Sequence, residues 1–146
     1  MIVLDTNVLS ELMKPKPATK VIDWMAAQPA VSLYTTSITQ AEILHCLMLL
    51  PPSRRRSALE AAATSMFGED FAGRILGFGS DVAPTYAQIA SDRRRAGRPI
   101  SHFDAQIAAI GRFMGASIAT RNTGDFDGCG VTVVRSVASP SISQIE

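Results

Sequence analysis

Hydrophobic and polar positions along this chain follow two periods, and the changes from one to the other mark out its elements. Met1 to Leu4 is a short apolar run, the pattern of a strand buried on both faces. Val8, Leu9, Leu12 and Met13 then recur at helical spacing, and Lys14-Pro15-Lys16-Pro17 stops that helix. Thr19 to Ala27 carries Val21, Ile22, Trp24 and Met25 and predicts a second helix, while the β-rich stretch from Val31 to Thr36 predicts a strand. A third helix opens at Ile38-Thr39 and runs to Leu50, where Pro51-Pro52 ends it; Ser53 caps the next, which reaches about Met66. Arg74 to Phe78 predicts a short strand, and Gly77-Phe78-Gly79 reads as a turn. Helices follow over Asp81 to Ala96, with Pro84 in the first turn and Gly97 as the stop, and over Ser101 to Met114, ended by Gly115. Ala116 to Thr120 and Val131 to Val134 are the last strands.

Strands alternating with helices predict a three-layer α/β/α domain around a central, mostly parallel sheet. No repeat or linker interrupts the 146 residues, so one domain over residues 1–146 is expected. The order of the strands is not contained in the pattern.

Composition narrows the class. At 47% hydrophobic and 18% charged residues, the chain is neither disordered nor fibrous. The longest apolar run, Ile43 to Leu50, is broken by His45 and too short to span a bilayer, and Asp5 interrupts the first apolar stretch before it resembles a secretory leader. The expectation is a soluble, cytoplasmic protein with no membrane partner. Cys46 and Cys129 read as buried free thiols, and His45 and His102 alone give little support to a zinc site. A net charge of +1 does not mark a globally basic nucleic-acid binder, so any positive patch is local.

The chemistry lies in four acids. Asp5 follows the first strand and Asp125 lies a few residues past the strand ending at Thr120; both belong to the carboxyl edge of a parallel sheet, where functional groups gather. Glu42 and Asp104 are each expected in the first turn of a helix, and the N-termini of helices that follow strands point to the same edge. Converging carboxylates repel unless a cation lies between them. Hard oxygen donors suit Mg²⁺ or Mn²⁺, which can activate a water for attack on phosphorus and stabilise the leaving oxygen. Each acid also has a structural role open to it. Asp5 can cap the first helix, and Glu42 can close a capping box with Thr39. Asp104 can complement a helix dipole, and Asp125 can serve a turn. The joint arrangement, rather than any one residue, indicates phosphodiester hydrolysis.

Four stretches carry a family resemblance. Leu4-Asp5-Thr6-Asn7-Val8-Leu9-Ser10-Glu11, Ser37-Ile38-Thr39-Gln40-Ala41-Glu42-Ile43, Gly97-Arg98-Pro99-Ile100 with Phe103-Asp104-Ala105-Gln106-Ile107-Ala108-Ala109, and Thr120-Arg121-Asn122-Thr123-Gly124-Asp125-Phe126 follow in order from residue 2 to about 134. Together they resemble the PIN-domain family, within it the VapC-type toxins of toxin–antitoxin pairs, and among these the FitB-like branch, to which Ala72-Gly73-Arg74-Ile75-Leu76 is also similar. The resemblance implies a Mg²⁺- or Mn²⁺-dependent endoribonuclease with Asp5, Glu42, Asp104 and Asp125 as metal-holding and catalytic residues. Thr6 and Thr120 resemble hydroxyl residues that support the acids. Asn122, an amide where some relatives carry an acid, is read as orienting a water or a neighbouring carboxylate. The resemblance further implies an RNA substrate, a homodimer, and a cognate antitoxin that blocks the acidic pocket and packs a helix in an apolar groove, in some cases within a larger assembly. Val8, Leu9, Leu12, Met13 and Leu47 to Leu50 supply apolar material for such a groove, with ordinary core packing as the alternative use.

Two arginine clusters remain. Arg54-Arg55-Arg56 stands at a helix start, where the dipole disfavours cations, and reads first as a solvated face. Arg93, Arg94 and Arg98 lie near the segment leading to Asp104 and are candidates for RNA contact through phosphate. His102, two residues before Asp104, is not assigned general-base work. Rival readings are weaker. A phosphatase of the haloacid type wants an Asp-x-Asp pair, whereas Asp5-Thr6-Asn7 stands here. A receiver wants a late strand-end lysine, and the lysines are Lys14, Lys16 and Lys20. A catalytically silent binding module of the same fold and a nuclease acting on DNA, since the acids alone do not choose between ribose and deoxyribose, are the remaining alternatives.

Overall fold

The computed structural model of the chain describes residues 1–135 and 137. Residue 136 and residues 138–146, the end of the expected 1–146 domain, lie outside the described residues. The elements run β1 (Ile2–Leu4), α1 (Thr6–Leu12), α2 (Thr19–Ala26), β2 (Leu33–Thr36), α3 (Ser37–Met48), α4 (Arg54–Ser65), β3 (Ile75–Leu76), α5 (Ala83–Arg95), α6 (His102–Phe113), β4 (Ser117–Ala119) and β5 (Thr132–Val134). Every paired strand is parallel, in the order β3-β2-β1-β4-β5. The three-layer α/β/α architecture expected from the alternation is the one observed.

The period-two alternation of the strands sorts the core into two halves. Leu4 and Ala119 face one side, where Val8 and Leu9 of α1, Val21 of α2, Ile43 and Leu47 of α3 and Ala63 of α4 cover the sheet. Val3 and Ile118 face the other side, against Ile89 of α5 and Ile107, Ala108 and Ile110 of α6. Because β1 is central and carries apolar residues on both faces, it holds the molecule's deepest positions; Val3 and Leu4 are fully buried. Gly111 lets α6 lie close to β4, since a Cβ there would meet Ile118 Cγ1 at 3.1 Å.

Where the structure departs from the pattern, caps and turns decide. Val31 lies in a 3₁₀ turn over Ala30–Ser32 after Pro29, so β2 begins only at Leu33. Helix α3 opens at Ser37 because Thr36 caps it, its Oγ1 accepting the Thr39 N–H at 3.1 Å. Past α4 the chain makes a π turn over Met66–Asp70 that buries Met66 and Phe67. Cys129 is buried as expected, but Cys46 is an exposed free thiol on α3.

Candidate active site

The carboxyl ends of β1 and β4 lie side by side at one edge of the sheet. Asp5 leaves β1 and caps α1: its Oδ1 accepts the Thr6 N–H at 2.8 Å, and its Oδ2 accepts from the Thr120 hydroxyl at 2.9 Å. The structural and the chemical uses of Asp5 therefore coexist, in a carboxylate only 4% exposed. Glu42 stands in the second turn of α3, since that helix opens at Ser37 and is capped by Thr36. Its Oε1 accepts from the Thr6 hydroxyl at 2.9 Å instead of closing a capping box with Thr39. Asp104 is the third residue of α6, its N–H held by the cap Ser101 at 3.2 Å. Asp125 lies in a 3₁₀ turn over Thr123–Phe126, pinned by the buried Phe126 ring.

All four acids line one cavity of about 400 Å³, shared with Thr6, Asn7, Ser10, Glu11, Lys14 and Arg121. Their electrostatics follow from that gathering. Burial, with the charges of Asp104 and Glu42, pushes Asp5 up from 3.8 to about 6, against the opposing hydrogen bonds from Thr120 and Thr6. Burial and then Asp104 raise Glu42; burial and then Asp125 raise Asp104. Asp5, Glu42 and Asp104 thus resist ionising in the bare cavity. Among the described residues, no three acids form a ready-made metal cage. They face a common space and feel one another across it. The donors are carboxylate oxygens, the set that a hard divalent cation takes, and such a cation would offset both burial and repulsion.

A hydroxyl and two amides brace this cluster. Besides donating to Asp5, the fully buried Thr120 Oγ1 accepts from Asn7 Nδ2 and from the Asn122 N–H, each at 3.1 Å. Asn122 thus contributes through its backbone, with its residue exposed. Asn7 Oδ1 accepts the Arg121 N–H at 3.1 Å, tying the start of α1 to the end of β4.

One of the arginine expectations needs correction. Arg93 is buried, 7% exposed, and its guanidinium donates to the carbonyls of Arg98, Asp125 and Asp127 at 2.7, 3.0 and 2.8 Å. It clamps the loop that carries Asp125 and offers no open face to RNA, because satisfying those inward carbonyls requires the interior position. Arg98 is exposed and pairs with Asp127 at 3.0 Å, and Arg94 is exposed on the same helix end. In the other cluster, Arg56 donates to Glu60 at 2.7 Å and to the Leu50 carbonyl at 3.0 Å, while Arg55 lines an apolar cleft. His102 Nδ1 lies 2.6 Å from the Tyr86 hydroxyl and does not line the acidic cavity.

That apolar cleft, also about 400 Å³, runs beside the acidic cavity between α1, α3 and α4 and is lined by Met13, Pro15, Ile43, Leu47, Ala58 and Leu59 among others. Val8 and Leu9, expected as groove material, are wholly in the core and are not available to it. Asn7, Ser10, Glu11, Lys14 and Arg121 are the cavity residues to which the sequence reading gave no site role. A polar Glu11 among Val8, Leu9 and Leu12, and an arginine directly after the last residue of a predicted strand, were the available signals.

Comparison with known proteins places this arrangement. Residues 2–128 match the PIN domain. The chain is 36% identical over 134 residues to the VapC ribonuclease Y4jK of Sinorhizobium fredii, covering 92% of this chain and 96% of that protein. It is 37% identical over 133 residues to the toxin FitB of Neisseria gonorrhoeae, covering 91% and 96%. Among solved structures, FitAB bound to an IR36 DNA fragment superposes with a TM-score of 0.89 at 34% identity, over 97% of this chain and 99% of that one. The acids at the sheet edge, the parallel five-stranded order and these likenesses agree: the chain belongs to the PIN-domain family.

Proposed function

We propose that this chain is a single-domain, metal-dependent endoribonuclease toxin, neutralised by a cognate antitoxin. The observation that carries the reading is the cavity in which Asp5, Glu42, Asp104 and Asp125 face one another, with Asp5 displaced to about 6. A partly buried acid cluster of this kind is costly to a fold unless it has a cation to hold. The four carboxylates would hold Mg²⁺ or Mn²⁺, which supplies a polarised water and charge neutralisation at the phosphorus when bound.

The chain's own residues set the geometry. Thr120 and the Thr6 N–H fix both oxygens of Asp5, the Thr6 hydroxyl fixes Glu42, and Ser101 holds the turn that presents Asp104. Arg93 fixes the carbonyl frame of the Asp125 loop. In hydrolysis water adds to phosphorus, a P–O bond of the RNA breaks, and the departing oxygen takes up a proton. The protein contributes aligned acceptors and a partly dry cavity, terms that count most where groups are held rigidly.

The toxin reading rests on the relatives, a VapC ribonuclease and a FitB toxin, and on a structural neighbour in complex as FitAB. The apolar cleft shares Ser10 and Lys14 with the acidic cavity, so one antitoxin segment can fill the cleft and reach the acids. A homodimer is proposed with it, to be read by light scattering of the free chain.

The test is cleavage of total cellular RNA by purified, antitoxin-free chain in Mg²⁺, in Mn²⁺ and in EDTA, beside Asp104→Asn. Metal-dependent fragments that vanish in the variant support the reading. Well-folded protein that leaves several RNA pools intact with both metals refutes it.

A further inference from the structure

We infer that Arg121 and Lys14, gathered on Glu11 at the wall of the acidic cavity, bind a backbone phosphate of the RNA. The inference deepens the nuclease reading and rests on it. Glu11 is a fifth carboxylate in the cavity lining, and it differs from the other four. It is buried, yet its Oε2 takes Arg121 Nη1 at 2.8 Å and Lys14 Nζ at 2.6 Å, while its Oε1 takes the Ala18 N–H at 2.9 Å. One negative charge therefore holds two positive ones, and this part of the cavity lining carries a surplus cation.

A fold-holding role alone does not account for both cations. Arg121 by itself would neutralise Glu11 and tie α1 to the end of β4. Lys14 adds a second charge from the end of α1, with its side chain 60% exposed. Arg121 lines the cavity and stays 24% exposed after its Nη1 bond to Glu11. A guanidinium fork and a mobile ammonium beside it match the oxygens of a phosphodiester. An anion there would share the cavity with the acid cluster, within reach of a strand bound across it.

The test uses Asp104→Asn protein, which retains the wall, and a fluorescein-labelled single-stranded RNA. Its Kd is followed by anisotropy from low to moderate salt. Adding Lys14→Met weakens binding about tenfold, the order of one charge-assisted contact. It also flattens the slope of log Kd against log salt by about 0.7, the share of one phosphate on a single strand. Arg121→Lys, which keeps the charge but removes the fork, weakens binding too. With Asp104 intact, Lys14→Met raises KM about tenfold while kcat changes less than about twofold and the melting temperature holds; a merely structural ion pair would shift none of these except the last. Unchanged Kd, slope and KM in both variants overturn the inference, and if the natural chain still cuts RNA, the nuclease reading survives that result. Loss of antitoxin affinity with RNA binding intact also overturns it, assigning the wall to the protein partner. A chain that cuts no RNA but shows the altered slope supports the phosphate site while refuting the nuclease.

Discussion

Replacing Asp5 by asparagine separates the chemical from the structural duty of one carboxylate. Its native value, about 6 against an ordinary 3.8, makes the ionised form a burden on the metal-free fold. The native state binds the proton more tightly than the unfolded chain, so the stabilisation is complete below about 3.8 and is lost as pH rises through about 6. At about 1.4 kcal/mol per pH unit, the loss at pH 7.5 approaches about 3 kcal/mol. Asparagine carries no charge to desolvate and keeps an oxygen for the Thr6 N–H, but it forfeits the hydroxyl donated by Thr120, at a cost of about 1 kcal/mol. Asp5→Asn is therefore expected to stabilise the metal-free protein by about 2 kcal/mol at pH 7.5. For a chain of this length that raises the melting temperature by about 4–8 °C. At pH 5.0 natural Asp5 is largely protonated and the charge penalty falls to about half, so the gap between the two proteins narrows. Melting followed by circular dichroism in EDTA at both pH values reads this directly, and RNA cleavage in Mg²⁺ is lost. A variant that melts lower than the natural protein at pH 7.5, or a gap that does not change with pH, refutes the electrostatic reasoning. Retained cleavage in the folded variant refutes the catalytic role.

Three further outcomes follow from the same geometry. Arg93→Met leaves the carbonyls of Arg98, Asp125 and Asp127 without their donor, lowering stability by about 2–4 kcal/mol and cleavage at least about tenfold. Faster amide exchange over residues 122–129 would localise the damage, and Arg93→Lys should not repair it because lysine lacks the fork. Thr120→Val keeps the shape but strips Asp5, Asn7 and Asn122 of a shared partner; we expect a loss of about 1–3 kcal/mol in urea titrations. Because the Thr120 bond holds Asp5 down, the pH at which cleavage sets in moves upward in that variant. Gly111→Ala drives a methyl to 3.1 Å from Ile118 and should cost about 1–3 kcal/mol through overpacking of α6 on β4, with the metal-dependence of cleavage unchanged.

Much of the fold was written in local patterns. The apolar run of β1, the helical spacing of Val8 and Leu9, the stops at Pro51-Pro52 and Gly97, and the cap at Ser53 act within a few residues, so they can be read along the chain. The alternation of strands and helices then determines the three layers, because a parallel connection needs a crossover and the crossovers cover both faces. The acids could be anticipated for the same reason: Asp5 and Asp125 follow strands, and carboxyl ends of parallel strands share one edge. Other features depended on contacts between residues distant in sequence. The strand order places β1 between β2 and β4, bringing Thr120 to Asp5 across 115 positions and Thr6 to Glu42 across 36. Arg93 looked like a surface cation until the Asp125 loop folded over it and supplied carbonyls to its guanidinium. Glu11 carried no assigned role until Arg121 and Lys14 closed on it. Sequence by itself determined most of the elements and their layers, since those rest on local propensity and period. Tertiary structure alone decided which polar groups are partnered, since burial and hydrogen bonding are set by neighbours that only the folded chain brings together.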